Sequence, residues 1–366
     1  MNRKIKVLIH TRSLNIPGGK QSYLLGLDKY FTNEISYFYY GTLEPVKESK
    51  FDFLKRYFGD YFRFYRQLRK ERYDVVHINT SFNLKSYFRD SIFTLISALS
   101  KTKTIVYWHG WNVEFQKKYA DKIVPFFRLT FGKADAMICL AKEFSNKLID
   151  YRYRKPIYTE STVVEDYIIN SQPQPRRHTV GEGKEAVNVL FLSRVERPKG
   201  IFETIDSIRN LQARYPKISL TIAGTGSELE NVKEYVKDNK LENVEFLGWI
   251  SGEEKLKALV QSDIFVLASY TEGMPICVLE AMAVGKPVIT TDVGAIKDFF
   301  EDGAMGLKVK VKDAKDIEKK VEKLFLEPNL REIMGEYNMK YAKEHFAPEQ
   351  VRKRLESIYT ESMKST

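Results

Sequence analysis

Short apolar, β-branched runs alternate with longer amphipathic stretches along nearly the whole chain. Runs at 4–9, 75–78, 104–108 and 136–140 read as strands, and 21–31, 86–99 and 143–149 carry the 3.6-residue periodicity of helices. Residues 152–165 hold further strand-like positions, and 171–183 are rich in Pro, Gly and Arg. The pattern then restarts, with strands at 187–192, 219–223, 244–247, 264–268 and 287–290. Helices are expected at 200–214, 228–237, 253–261, 276–283 and 314–325, and 330–363 reads as a charged helical tail. Strands alternating with helices predict parallel sheets covered on both faces.

At 366 residues the chain suits two domains better than one core. The expected architecture is α/β, with two facing Rossmann-like domains and a C-terminal helical tail. The boundaries read as 1–170, a linker at 171–186, a second domain at 187–345, and a helix at 346–366 crossing back to the first domain. The only two cysteines, Cys139 and Cys277, lie far apart in apolar runs, which fits a reducing compartment and no disulfide or zinc framework. No apolar run approaches the ~18 residues of a membrane span. The N-terminus enters a strand at once, without a signal-peptide pattern, so the expected location is the cytoplasm.

Charge is uneven. The net value is +11, yet residues 1–180 carry 31 Lys+Arg against 17 Asp+Glu, and the remainder 28 against 31. The densest basic segment, 51–73, interleaves Lys55, Arg56, Arg63, Arg66, Arg69 and Lys70 with Phe53, Tyr57, Phe58, Tyr61, Phe62 and Tyr65. That mixture suits an anionic membrane surface on the inner face of the cell membrane, or a helix with an aromatic core face and a solvated basic one. No nucleic-acid motif accompanies it, and nucleic acid is not an expected partner.

The chemistry concentrates at strand ends, where open α/β sheets bind ligands. Glu272 and Glu280 flank a loop-to-helix corner, Gly273-Met274-Pro275-Ile276, whose first amides form an anion site. Two acids on either side of such a site can hold the ends of a ligand with a phosphate in the middle, or they are a surface acid and a helix acid. Arg194 and Lys199 flank the loop after the strand at 187–192, as two cations that repel unless an anion lies between them. Gly18 and Gly19 follow the first strand and open a helix. His109 closes the strand at 104–108. Gly224-Thr-Gly226 lacks the third glycine of a dinucleotide fingerprint, which argues against a nicotinamide site. Trp249 and Ile250 offer an apolar surface for a base, or a core tryptophan.

Taken together, Ser193-Arg194, Lys199-Gly200, Ile222 to Gly226, Phe246 to Ile250 and Glu272 to Ile289 resemble the nucleotide-sugar-binding domain of family 4 retaining glycosyltransferases, which have the GT-B fold. Gly18-Gly19, Asp74 to His77 and Trp108 to Gly110 match more loosely. The Asn-Gly pair common before the family's linker is replaced here by Thr162 to Asp166. The resemblance implies that Arg194 and Lys199 stabilise the departing diphosphate and that Glu280 binds the ribose. It implies that Glu272, with the backbone at Gly273, Met274 and Ile276, faces the donor sugar or phosphate. Gly224 lies in a matched motif and is expected to bind donor. Trp249 and Ile250 would border the base, Gly18 and Gly19 would approach the phosphate, and His109 would steady the reacting sugar. The donor would be a UDP-sugar or a GDP-sugar and the acceptor a glycan or lipid-linked glycan. Two cations and helix N-termini supply the charge a leaving diphosphate needs, and the sequence has no Asp-x-Asp, so no metal and no cofactor are expected. A sugar-nucleotide epimerase and a non-catalytic nucleotide-sugar-binding protein share these features.

Overall fold

A computed structural model describes residues 3–364 except 17, 45, 47 and 172–185. The expected linker at 171–186 therefore lies almost wholly outside the described residues. The chain divides into two compact units, Met1–Val163 with Pro348–Thr366, and Val164–Ala347.

The first unit runs β1 (Lys6–Arg12), α1 (Gly19–Asp28), β2 (Glu34–Tyr40), α2 (Lys50–Lys70), β3 (Val75–Phe82), α3 (Leu84–Leu99), β4 (Lys103–Trp111), α4 (Val113–Leu129), β5 (Ala136–Cys139), α5 (Lys142–Asp150) and β6 (Ile157–Thr159). Its strands form one parallel six-stranded sheet in the order β2-β1-β3-β4-β5-β6. Side-chain caps start three helices: Ser49, Asn83 and Asn112 accept from the amides of Asp52, Ser86 and Phe115. The sequence pattern assigns nothing to 34–40 or 113–129. β2 is an edge strand of mixed exposure, and α4 carries an internal Pro125, so neither presents a clean period. β4 also runs past the expected end at 108, because Trp111 pairs with Phe82 and stacks on it at 4.1 Å. His109 is thus within the strand rather than beyond it.

The second unit runs α6 (Asp166–Ile169), β7 (Val187–Leu192), α7 (Ile201–Gln212), β8 (Ile218–Ala223), α8 (Leu229–Asp238), β9 (Val244–Gly248), α9 (Gly252–Gln261), β10 (Ile264–Leu267), α10 (Ile276–Ala283), β11 (Val288–Thr291), α11 (Ile296–Phe299), β12 (Gly306–Val309), α12 (Ala314–Leu326) and α13 (Pro328–His345). Its parallel sheet has the order β12-β11-β10-β7-β8-β9. The order reverses between β7 and β10, which places a crevice at the carboxyl ends of those two strands. β10 is buried at every position, as a sheet covered on both faces requires. Residues 164–170, expected in the first domain, belong to this unit, because Val164, Ile168 and Ile169 join its core.

The helical tail is two helices, α13 and a last one that starts close to the expected boundary at 346. Pro348 opens α14 (Pro348–Lys364), in a first-turn position where its missing N–H costs nothing. α14 groups with the first unit. Glu356 accepts from the Thr32 amide at 2.8 Å, the Thr32 hydroxyl at 2.6 Å and the Asn33 amide at 2.9 Å. The Tyr359 hydroxyl meets His77 Nδ1 at 2.7 Å in the core.

His77 and His10 are both fully buried in this unit. Burial holds each imidazole down at about 3, with Asp90 pulling the other way at His10. An unfolded histidine titrates near ~6.5, so below that pH the unfolded chain takes up protons the folded one refuses. Stability is therefore unaffected above about pH 7. It falls as pH drops below about 6.5, by up to about 1.4 kcal/mol per pH unit for each ring. A urea midpoint clearly lower at pH 5.5 than at pH 7.5 is expected, and equal midpoints would show that the folded rings accept protons freely.

Candidate active site

The corner after β10 is built as the sequence suggests and is held from three sides. α10 begins at Ile276 and ends at Ala283, with Pro275 as its N-cap. The loop before it is fixed by Ser269, whose hydroxyl donates to Glu272 Oε1 at 2.6 Å and whose carbonyl accepts from Thr291 Oγ1 at 2.5 Å. The Ala295 amide donates to the Gly273 carbonyl at 2.8 Å. Gly294 lies so close that a Cβ there would stand 2.2 Å from the Glu272 carbonyl, and its φ of +56° also favours glycine.

Lys199 reaches Glu272 across the crevice, with Nζ 2.6 Å from Oε1 and the two side chains 14% and 8% exposed. Lys199 ends the turn between β7 and α7, and Glu272 follows β10, so the pair spans the point where the strand order reverses. Arg194 is not part of this contact. It is largely exposed and donates to Glu196 at 2.7 Å. The two cations expected to repel across an empty site therefore each hold a carboxylate of their own.

Glu280 takes a different partner. It is 5% exposed on α10 and accepts from Lys255 Nζ of α9 at 2.6 Å; Glu165 lies 3.4 Å from the same amine and the Tyr167 ring centroid 5.8 Å. Burial drives both groups towards neutrality, upward for the Glu280 carboxyl and downward for the Lys255 amine. At Lys255 the ion pair prevails, and Glu280 holds the amine above its ordinary value; at Glu280 burial prevails over Lys255, and the carboxyl stays above its own. Cys277 lies within the fields of both acids: burial first, then Glu272 and Glu280, push its thiol up to about 12.

Gly224 has a structural cause. Its φ is +136°, and a Cβ there would sit 1.9 Å from the Ser193 carbonyl. Its close approach sets the 193–195 loop that carries Arg194, and the Val195 amide donates to the Thr225 carbonyl at 3.0 Å. Trp249 is 70% exposed, so the core alternative for it falls; Ile250 lines a cavity of about 290 Å³ with Leu247 and Ala258. Gly273, Met274 and Ile276 form the loop and first turn of α10 as expected.

In the first unit Gly18 caps α1, and Gly19 is its first residue. A Cβ on Gly19 would meet nothing within 4 Å, so packing among the described residues does not require a glycine there. His109 Nε2 meets Asn79 Oδ1 at 2.6 Å, and the ring stacks on Tyr107 at 3.9 Å. Burial, then Lys20 and His77, hold this imidazole well below its ordinary value, so it is neutral near pH 7. A neutral ring bonded to a carboxamide can donate or accept but carries no charge.

Lys255, Ser269 and Asn79 were not singled out from the sequence. Lys255 sits among charged helix residues with no motif around it, and only the meeting of α9 with α10 marks it.

Over residues 175–341 the chain matches the family described as Glycosyl transferases group 1, and over residues 30–160 the family described as Glycosyltransferase Family 4. It is 26% identical over 236 residues to the uncharacterized glycosyltransferase MJ1178 of Methanocaldococcus jannaschii, which covers 64% of this chain and 62%, just under two thirds, of that relative. It is 26% identical over 306 residues to the O-antigen biosynthesis glycosyltransferase WbnH of Escherichia coli, covering 80% of each. The solved structure of Anabaena Alr3699/HepE in complex with UDP superposes with a TM-score of 0.75 at 15% identity, over 98% of this chain and all of that one. The chain therefore has the GT-B fold and belongs to the group 1, family 4 glycosyltransferases.

Proposed function

We propose that this protein transfers a hexose-type sugar from a nucleoside diphosphate sugar to a glycan or lipid-linked glycan in surface polysaccharide assembly, with retention and without a metal ion. The observation that carries the reading is the Lys199–Glu272 pair at the strand-order reversal, beside the N-terminus of α10. Positive charge develops on the sugar ring during transfer, and negative charge on the departing diphosphate. Lys199 and the first-turn amides of α10 are placed to take the second, with Arg194 joining from its exposed loop. Glu272 then faces the sugar and Glu280 the ribose. The leaving phosphate oxygen takes the acceptor's proton, so neutral His109 serves as a hydrogen-bonding group. A UDP-sugar is the preferred donor and a GDP-sugar the alternate; the similarly folded HepE was solved with UDP-glucose, and WbnH acts in O-antigen synthesis.

We place the enzyme on the inner membrane face through α2. Phe51, Leu54, Phe58, Phe62 and Tyr65 recur every three or four residues, and all are exposed. They form one stripe, with Lys55, Arg66 and Arg69 alongside. No helix among the described residues is long and apolar enough to cross a membrane.

The test is a transfer assay over a panel of UDP- and GDP-sugars with lipid-linked and soluble glycan acceptors, in EDTA, with the product anomer read by NMR. The purified protein is also floated with phosphatidylglycerol or phosphatidylcholine vesicles. Transfer in EDTA with a retained anomer, and flotation with phosphatidylglycerol only, are expected. Isomerised donor without transfer would establish the epimerase instead. A manganese requirement would refute the metal-free chemistry, and failure to float with either vesicle would refute the membrane placement.

A further inference from the structure

A cavity of about 460 Å³ opens in the first unit at the ends of β1 and β2, beneath the first half of α2 and beside the start of α3. Its lining is aromatic and basic together. Tyr40, Phe53, Tyr57, Tyr61, Phe88 and Phe93 supply the rings. Arg12, Arg56, Lys85 and Arg89 stand among them against one acid, Asp60. Two of these cations are committed. Arg56 holds both oxygens of Glu48 at 2.7 Å, and Arg89 holds both oxygens of Asp90, at 2.7 and 2.9 Å, while stacked on Tyr40. Asp60 is also committed, accepting from the Gly41 amide at 2.8 Å and from Arg63. Arg12 and Lys85 are exposed, and no hydrogen bond or ion pair to either side chain is found among the described residues.

The cavity therefore offers two uncommitted cations among aromatic rings, but no free carboxylate to accept from sugar hydroxyls. Lys20 also feels these cations. Burial, then Arg89 and Arg12, push the Lys20 amine down to about 8 against the pull of Asp90. Like charges gathered this way are relieved by an anion. The aromatic rings lead outward: Phe53 also lines a groove of about 480 Å³ with Leu54, at the end of the exposed stripe of α2.

We infer that this cavity holds the phosphate or diphosphate of a lipid-linked acceptor, with Arg12 and Lys85 on the phosphate and the first chain carbons along Phe53 and Phe88. The inference rests on the glycosyl-transfer reading and names its acceptor class. Free phosphate would use the cations and leave the aromatic rings idle, whereas a phosphorylated lipid uses both. A chain leaving past Phe53 and Leu54 emerges beside the stripe proposed to meet the bilayer.

The experiment is calorimetric titration of the intact protein with farnesyl diphosphate, inorganic diphosphate and farnesol, with UDP titrated in parallel. The variants are Arg12→Glu with Lys85→Glu, and Phe88→Ser, all at exposed positions. Farnesyl diphosphate is expected to bind at least about tenfold more tightly than either fragment, and the paired charge reversal to weaken it by about tenfold or more. Phe88→Ser should weaken farnesyl diphosphate but not inorganic diphosphate. UDP affinity and melting temperature should be unchanged in both variants, since UDP is assigned to the second unit. Equal affinity for inorganic and farnesyl diphosphate, or binding indifferent to the charge reversal, would overturn the inference. So would displacement of farnesyl diphosphate by UDP. Loss of UDP binding by the unaltered protein would instead defeat the underlying reading of the second unit.

Discussion

Lys199→Met is expected to lower the turnover of sugar transfer by about two to three orders of magnitude, the range seen when a fixed charge-stabilising donor is removed from an active site. Methionine keeps most of the stem and removes the ammonium. In the resting structure that ammonium lies 2.6 Å from Glu272, so the protein has already oriented it and partly stripped its water. The arriving diphosphate needs no costly reorganisation of Lys199. Because charge on the leaving group grows in the transition state, the loss should fall on kcat more than on KM. Glu272 remains hydrogen-bonded to Ser269 at 2.6 Å, which limits the structural damage. Lys199→Met combined with Glu272→Gln removes both charges. It should melt close to the unaltered protein and remain as inactive as the single variant. Turnover within threefold of the unaltered enzyme in Lys199→Met would show that Lys199 does not serve the leaving group.

Lys255→Met should have the largest effect on stability. It leaves Glu280 in the core without its cation, and breaking a buried pair from one side costs on the order of 3–5 kcal/mol. The pH dependence of that loss has a definite sign. Burial already raises the Glu280 carboxyl, and removing Lys255 takes away the main opposing influence. A carboxyl whose folded pKa lies above its unfolded value stabilises least at high pH. Measured against the unaltered protein at the same pH, the deficit of Lys255→Met should therefore grow from pH 5 to pH 8. Adding Glu280→Gln should return most of the stability while weakening UDP binding, because the amide cannot replace a carboxylate accepting from two ribose hydroxyls. A double-mutant cycle measures the coupling directly. Additive stability losses would show that Lys255 and Glu280 do not act as a unit, and undiminished UDP affinity in the double variant would remove Glu280 from the ribose.

Much of the second unit was legible because its signals are local. The α10 boundaries follow from Pro275, a short apolar run and Gly285, and the structure has α10 over those residues. β10 is a continuous apolar run, and β7 and β8 are apolar except at Asn188, Ser219 and Thr221, as parallel strands covered on both faces tend to be. The first unit was less legible. β2 is aromatic and half exposed, and its pairing with β1 is decided by a neighbour distant in sequence. β4 reaches Trp111 because of a partner on β3, which no periodicity within β4 records.

By itself the sequence determined the α/β alternation, the loop-to-helix corner at Glu272–Glu280 and the uneven charge of the two halves, because each depends on neighbours within a few residues. Only the tertiary structure decided which charges meet. Lys199 is 73 residues from Glu272, and Lys255 is 25 residues from Glu280 on another helix. Ion pairs form between side chains that packing brings within about 4 Å, and sequence spacing does not encode that distance. The same holds for α2. Its sequence shows aromatics at helical spacing, but packing chose Tyr61 and Phe64 for the core and left Phe51, Phe58 and Phe62 outside.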